Sequence, residues 1–468
     1  MECINGLRDE IRDCLHEECG VFGVYNNNDE LDVSRLTYYG LYSIQHRGQE
    51  SCGIAVEDED VIRCYKQMGL VCDVFNEERL ASLKGQVAIG HVRYSTAGAS
   101  NVLNAQPITV NYRDGMMALA HNGNLVNSEE LRYKMGSGGS VFVAGNDTEI
   151  IVKILSKNLV SEATIEDAVK QTMRVLKGSY AIVLLLQGKL IGFRDPLGIR
   201  PLCLGKLKHS YILSSESCAF SVMGAELIRD VNPGEIVIID DDGTRSVQTP
   251  TPGHSAYCIF EHVYFARPDS YIDGASVYRA RENAGRMLAK EYPVDADLVI
   301  GAPDSALTAA IGYARESGIP YGHGLMRNRY VGRTFIQPTQ EMRDAAVHMK
   351  FSALRNEIEG KRLVLVDDSI VRGTTTRVVV QMLKEAGAKE VHMRISSPPV
   401  MFPCHYGIDT ATASQLIASR LSVEEICQMV GADSLRYLSL ESLLKAPGID
   451  GGFCSACFSG NYMVKNNE

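Results

Sequence analysis

Residues 364–376, VLVDDSIVRGTTT, place two adjacent carboxylates, a serine, an arginine, a glycine and three threonines directly after an apolar run. Those residue types suit a ribose that carries a phosphate. Asp367 and Asp368 can accept hydrogen bonds from two ribose hydroxyls. Ser369, Arg372, Gly373, Thr374 and Thr375 offer hydroxyls and backbone N–H groups that can hold phosphate oxygens. Charge-assisted hydrogen bonds contribute roughly 1.5–3 kcal/mol each, so three or four of them fix a phosphate firmly. Two acids ahead of a helix also serve as a simple N-terminal cap, and a bare Asp-Asp-Ser would read that way. The unbroken passage from apolar strand to threonine-rich turn favours the ligand site.

The elements around the turn place it where open α/β sheets bind ligands. Residues 362–366 read as a buried parallel strand and residues 374–386 have helical spacing, so the acids stand at a strand's carboxyl end. Strand-like Leu298–Gly301, helical 306–316 and strand-like Glu390–Ile395 continue the alternation and predict a doubly wound sheet, with a further short strand and helix over 433–444. The first half has another rhythm. Short β-type runs at 87–90, 116–121, 180–186 and 211–214 are joined by loops, with two helical stretches at 128–134 and 147–158. Pro233-Gly234 marks a turn, and TPTPG at 249–253 is the best linker in the chain.

At 468 residues the chain suits two domains of about 200 residues each. A formal charge of −10 without a Lys/Arg stripe argues against nucleic acid as a partner. No apolar run approaches the ~20 residues of a membrane span, and the first eighteen residues lack the apolar core of a signal peptide, so a cytoplasmic protein is expected. Thirteen cysteines, an odd number, speak against a disulfide framework. Cys52, Cys64, Cys72, Cys203, Cys218 and Cys427 sit in apolar or strand-like context and are expected to be small buried hydrophobes. Cys454 and Cys457 form a Cys-x-x-Cys pair in a Gly-rich tail, FCSACFSG, where helix or strand is not expected and a soft metal or redox role is plausible.

Five segments punctuate the first half: EECGVFGVY at 17–25, QHRGQES at 45–51, GHVRYSTAG at 90–98, AHNGNLVN at 120–127 and NDTE at 146–149. Singly each is weak: Cys19 entering a strand reads as a core residue, Arg93 as a strand-edge arginine and Asp147 as a helix cap. In this order they resemble the class II glutamine amidotransferase domain, which has the amino-terminal-nucleophile (Ntn) hydrolase αββα fold. The resemblance implies that Cys19 is the nucleophile and must become the first residue, with residues 1–18 removed as a propeptide. Its α-amine, with a pKa about 7.7–8.0, can then act as base near neutral pH. The resemblance further makes the Asn122 carboxamide and Gly123 N–H the oxyanion donors, Arg93 the partner of the glutamine α-carboxylate and Asp147 that of its α-ammonium.

The run at 364–376 in turn resembles the signature of the type I phosphoribosyltransferases, which bind 5-phosphoribosyl 1-diphosphate (PRPP). Both halves together, over residues 19–460, resemble the glutamine PRPP amidotransferase family in its iron-sulfur-containing branch. The expected organisation is a propeptide at 1–18, a glutaminase domain at 19–253, a phosphoribosyltransferase domain at 254–445 and a tail at 446–468. The expected reaction uses ammonia from glutamine to displace diphosphate from PRPP, giving 5-phosphoribosylamine at the first step of purine synthesis. The family pattern puts Mg²⁺ near Ser305, Asp367 and Asp368, and makes NRYVGRTFIQP at 328–338 a loop whose Arg329 and Arg333, with Lys350, reach the diphosphate. It assigns Cys258, Cys404, Cys454 and Cys457 to a structural [4Fe–4S] cluster, although zinc also accepts four thiolates. Feedback-inhibiting purine nucleotides and a homo-oligomer are further implied. Two rivals lack part of the pattern. An amidotransferase acting on fructose 6-phosphate would lack DDSIVRGTT, and a PRPP-binding regulator would need no glutaminase residues. The first prediction follows from the base argument: intact-mass measurement of active enzyme will show Cys19 at the amino terminus, and activity with residues 1–18 retained would contradict it.

Overall fold

The computed structural model describes residues 19–27, 31–94, 100–328, 349–408, 410 and 413–464. The expected propeptide, Arg329 and Arg333 lie outside the described residues.

The amino-terminal lobe is built on two antiparallel sheets. The first contains β1 (Gly20–Tyr25), β2 (Ser51–Asp58), β3 (Val61–Met68) and β4 (Val87–Arg93). The second begins with β5 (Ile108–Tyr112), β6 (Gly115–Leu125), β7 (Gly178–Leu186) and β8 (Lys189–Arg194). The chain then returns to the first sheet through β9 (Cys203–Leu207), β10 (Ser210–Ser214) and β11 (Glu226–Asp230), and closes the second with β12 (Glu235–Asp240) and β13 (Gly243–Gln248). Strand orders are β11-β9-β10-β1-β4-β2-β3 and β13-β12-β8-β7-β6-β5.

Side-chain alternation explains the layering. Val21, Tyr25, Ala55 and Ile89 of the first sheet share a core with Ala118, Ala181, Val183 and Leu185 of the second. Their neighbours face outward, Phe22 and Ile54 under the helix Val33–Ser43, and Leu119 and Ile182 under the helices Thr148–Ser161 and Ile165–Val175. The result is the expected αββα sandwich. The helices Val33–Ser43 and Ile165–Val175 correct the expectation of only two helical stretches. The first was hidden because Ser34, Thr37 and Gly40 occupy its buried face alongside Val33 and Leu41, which mutes the apolar periodicity.

Residues 249–253 carry no regular structure. Beyond them lie β14 (Tyr257–Cys258) and a small hairpin, β15 (Tyr271–Ile272) with β16 (Ala275–Ser276). β17 (Leu298–Gly301) follows, then β18 (Leu325–Arg327), β19 (Phe351–Ala353), β20 (Arg362–Asp367), β21 (Glu390–Ile395), β22 (Ser434–Tyr437) and β23 (Phe453–Cys454). β17, β20, β21 and β22 form one parallel sheet in that order, and Tyr321 bridges in parallel to Val299 on the other side of β17. Val364 and Val366 pack with Ala284 and Ala310 on one face, while Leu363 and Leu365 pack with Val379 and Leu383 on the other. This two-sided burial is why β20 reads as a continuous apolar run. The strand order reverses between β17 and β20, which opens a crevice at their carboxyl ends.

Two local expectations are corrected. The tail is ordered: β23 pairs in parallel with β14, and a short helix, Ala456–Ser459, follows. Cys72 is exposed, because its single-turn helix, Val71–Val74, buries Val71 and Val74 instead; Cys64 and Cys427 are half-buried. No helix among the described residues is long and apolar enough to cross a membrane.

Candidate functional site

Cys19 lies buried at the entry to β1, where its thiol donates to the Tyr94 carbonyl at 3.5 Å. Burial pushes the thiol up to about 11, against the pull of the Tyr94 hydrogen bond and the positive field of Arg93. At neutral pH the sulfur is therefore protonated and needs a base to become a nucleophile. Arg93, Glu50 and Asp147 are the charged groups that act on it: pairing of β1 with β4 brings Arg93 close, and Asp147 comes from the turn before the helix Thr148–Ser161. Arg93 ends β4 and is almost wholly buried, with Nη1 donating to Glu50 Oε1 at 3.0 Å; it is no surface arginine.

Asp147 precedes the helix Thr148–Ser161 but makes no side-chain cap. It accepts instead from the Leu125 N–H at 2.9 Å, with His121 Nδ1 at 3.5 Å. Burial alone would raise its pKa, yet His121 and the Leu125 amide outweigh that and hold it below the usual carboxylate value. It is thus a buried anion. Asn122, on β6, is 1% exposed, and neither Oδ1 nor Nδ2 has a hydrogen-bond partner. A buried carboxamide without partners carries a desolvation cost of about 1–3 kcal/mol, which a bound oxyanion would relieve. Gly123 has φ +141°, and a Cβ there would stand 2.2 Å from the Ser179 carbonyl oxygen, so only glycine fits.

The second site lies at the carboxyl ends of β17 and β20. Ser305 is not the cap of the helix Leu307–Ser317; its hydroxyl donates to Asp368 Oδ2, and Ser369 Oγ donates to Oδ1 at 2.7 Å. Burial raises the Asp368 pKa, opposed by these hydroxyls and by Arg281. Asp367 Oδ1 accepts the Asp368 N–H at 2.9 Å. The helix Thr374–Glu385 starts from Gly373 at φ +82°, and no side chain caps it, so neither aspartate serves as the simple cap considered above. A helix start without a side-chain cap leaves its leading amides available to an anion. Arg372 Nη2 donates to Gln415 Oε1 at 2.9 Å. Lys350 stands apart from the aspartates in sequence, with its ammonium 5.4 Å from the Phe351 ring centre and its carbonyl bonded to Asn328 N. The β18–β19 ribbon thereby brings Asn328 and Lys350 together.

The four expected cluster cysteines lie on β14, β23, the tail helix and the loop at 404. Cys258 and Cys454 are register partners across β14 and β23, Cys457 lies on the following helix, and Cys404 accepts the Tyr406 N–H at 3.3 Å. Burial pushes the Cys454 thiol up to about 12 and raises Cys457, and the proximity of Cys404 raises both further. Among the described residues no three His, Cys, Asp or Glu side chains form a ligand set for a single metal ion.

Sequence reasoning missed the residues between the sites. Arg47, fully buried, donates from Nε to the Cys19 carbonyl at 3.1 Å, from Nη1 to Glu216 at 2.6 Å and from Nη2 to Glu261 at 2.6 Å. Glu261 belongs to the carboxy-terminal lobe and opens a π-helical turn, Glu261–Phe265. Arg281 clamps that turn at both ends through the His262 and Ala266 carbonyls, and Asp368 is the acid that acts most strongly on it. Arg47 sat within QHRGQES and Glu261 near Cys258, but nothing in their spacing announces the pair. Tyr437, at the end of β22, has a buried hydroxyl without a partner, and Asp367 helps raise its pKa.

Comparison with known proteins places both lobes. Residues 91–222 match the family described as glutamine amidotransferase domain, and residues 272–396 that described as phosphoribosyl transferase domain. Fold and sites thus define a glutamine amidotransferase joined to a phosphoribosyltransferase. The amidophosphoribosyltransferase of Archaeoglobus fulgidus is 52% identical over 449 residues, covering 95% of this chain and 98% of its own. That of Bacillus subtilis is 49% identical over 457 residues, covering 96% and 95%. A solved structure, glutamine phosphoribosylpyrophosphate (PRPP) amidotransferase from B. subtilis complexed with ADP and GMP, matches with a TM-score of 0.90 at 48% identity, over 96% of this chain and 98% of that one. The chain belongs to the amidophosphoribosyltransferase family.

The arginine between the lobes generates a prediction. Burial alone would raise the Glu216 pKa, but His46 and Arg47 hold it far below the carboxylate range. Arg47→Met strands two buried carboxylates and will cost about 3–5 kcal/mol, read as a lower urea midpoint. Because the Glu216 pKa is depressed on folding, this stabilisation is complete above the ordinary Glu value, about 4.3, and fades as pH falls below it. Wild type and variant will therefore converge in acid; a pH-independent difference would contradict the ionic origin.

Proposed function

We propose that the two sites act in sequence: Cys19 releases ammonia from glutamine in the amino-terminal lobe, and the Asp367–Asp368 site uses it to displace diphosphate from PRPP, yielding 5-phosphoribosylamine, the entry step of purine synthesis. The observation that carries this reading is one chain holding a buried thiol in the field of Arg93 and Asp147, a buried carboxamide without a partner, and an aspartate pair at the switch point of a parallel sheet, with Asp368 bonded to the Ser305 hydroxyl.

In the glutaminase half, Arg93 grips the α-carboxylate and Asp147 the α-ammonium. The freed α-amine of Cys19 takes the thiol proton, and sulfur bonds to the carboxamide carbon while Asn122 and Gly123 N–H receive the oxyanion. Collapse breaks the C–N bond and the proton goes to the departing nitrogen as ammonia. Water then hydrolyses the thioester to glutamate. The raised pKa of Cys19 supports a base so close to the sulfur.

In the other lobe, Asp367 and Asp368 orient the ribose hydroxyls, and Ser369, Arg372, Gly373, Thr374 and Thr375 hold the 5-phosphate. Arg329, Arg333 and Lys350 are proposed to reach the diphosphate. Ammonia is itself the nucleophile, so no protein base is required; its nitrogen bonds to the anomeric carbon as the bond to diphosphate breaks. Hydroxyl and carboxylate oxygens of Ser305, Asp367 and Asp368 suit Mg²⁺, which would neutralise diphosphate charge.

Four cysteine thiols drawn together from β14, β23, the tail helix and the 404 loop fit a soft four-thiolate group, and we assign them to a [4Fe–4S] cluster. Thiolates of such a cluster bind different irons and need not surround a single ion. Cytoplasmic residence accords with the free thiols among the described residues, and the functional division is placed at residue 253, in the linker that carries no regular structure. The B. subtilis protein complexed with ADP and GMP supports purine nucleotides as feedback inhibitors, and a homo-oligomer is proposed by family likeness.

Two outcomes are expected. Cys19→Ala will lose glutamine-dependent synthesis, by more than a thousandfold, and keep ammonia-dependent synthesis within about twofold; loss of both in a folded protein would refute separate sites. Purified without air, the chain will be brown with about four irons per chain; an iron-free, colourless and active preparation would remove the cluster assignment.

A further inference from the structure

A loop of the carboxy-terminal lobe rests directly on the proposed oxyanion strand. Asn124 Nδ2 donates to the His405 carbonyl at 3.0 Å, and Ser179 Oγ donates to the Tyr406 carbonyl at 2.7 Å. Arg200 Nε donates to the same carbonyl at 2.8 Å. Asn124 and Ser179 are register partners that flank Gly123 on β6 and Tyr180 on β7. Gly407, at φ +98°, approaches so closely that a Cβ on it would stand 2.9 Å from the Gly123 carbonyl carbon. The loop is fixed from behind. The Tyr406 hydroxyl exchanges hydrogen bonds with the Val464 backbone, the His405 ring lies 4.3 Å from that of Tyr462, and the Tyr406 N–H is bonded to Cys404 sulfur.

We infer that residues 405–407 are the positioning element of the oxyanion site: they hold the Asn122–Gly123 peptide in place, so that glutamine turnover depends on a loop of the other lobe anchored at Cys404 and the tail. Gly407 meets Gly123 backbone to backbone, with no flexible side chain at that point to absorb a displacement, and the short Asn124 and Ser179 side chains tie the flanking residues to the loop. An oxyanion donor works only within about 2.7–3.1 Å of the developing charge, so a shift of a few tenths of an ångström matters. Cys19 is held elsewhere, its thiol by the Tyr94 carbonyl and its own backbone carbonyl by Arg47. Acylation and simple thiol reactivity therefore respond differently.

This inference rests on Asn122 and Gly123 being the oxyanion donors, and the test separates the two ideas. Gly407→Ala and Ser179→Ala are compared with wild type in the full chain, with Asn122→Ala alongside. Gly407→Ala is expected to lower kcat for glutamine at least tenfold, with KM for glutamine changed less than threefold. Alkylation of Cys19 by iodoacetamide and ammonia-dependent synthesis will stay within twofold. Ser179→Ala, the milder change, will lower the same kcat about threefold or more and preserve the other readouts, and it decides the question if Gly407→Ala does not fold. Normal glutamine kcat in folded loop variants overturns the inference, as does an equal loss of ammonia-dependent synthesis. If Asn122→Ala leaves kcat unchanged, the oxyanion assignment itself fails and the inference falls with it.

Discussion

The structure turns on one buried ion network. Arg47 has no access to water, and its three nitrogens are divided among the Cys19 carbonyl, Glu216 of its own lobe and Glu261 of the other. Burying these charges is costly, and the cost is offset only while all partners are present. The backbone of Cys19, the proposed nucleophile, is therefore located by a group that is satisfied only when the lobes are docked. Glu216 extends the same network, accepting from His46, the Arg267 N–H and the Ser270 hydroxyl. A second buried pair, Arg194 with Asp273 at 2.7 Å, ties the β15–β16 hairpin to the glutaminase sheets.

Chemistry explains why docking should be so firmly specified. Ammonia in neutral water is mostly ammonium, which has no lone pair for attack, so the proposed transfer between the two sites requires a passage from which water is excluded. A chain with a loose hinge between its lobes would lose the intermediate. Arg281 sits where the demands meet: it braces the turn that presents Glu261, and Asp368 is the acid that acts most strongly on it.

What could be read from sequence was local. The β20 run and its acidic turn were legible because strand, carboxylates and helix start are contiguous, whereas Asn122 and Gly123 were singled out only through the family resemblance. Cys19, Arg93 and Asp147 required the family pattern, since a buried thiol, a buried arginine and a buried carboxylate look like ordinary residues one at a time. Arg47 and its glutamates were invisible: 169 and 214 residues separate them, and no periodicity links positions so distant. The tail was misread for a related reason. Phe453 and Cys454 have no local strand signature, and become a strand only because Tyr257 and Cys258 lie beside them. The helix at Val33–Ser43 failed differently, with small polar residues filling the face where apolar ones were sought.

The most direct measurement follows nitrogen. The enzyme is given amide-¹⁵N glutamine, PRPP and Mg²⁺ in excess unlabelled ammonium at neutral pH, and trapped 5-phosphoribosylamine is analysed by mass together with glutamate and diphosphate. The account predicts ¹⁵N in nearly all of the early product, with glutamate and diphosphate formed one for one. Product labelled only in proportion to the mixed ammonia pool, or glutamate released without diphosphate, would contradict it.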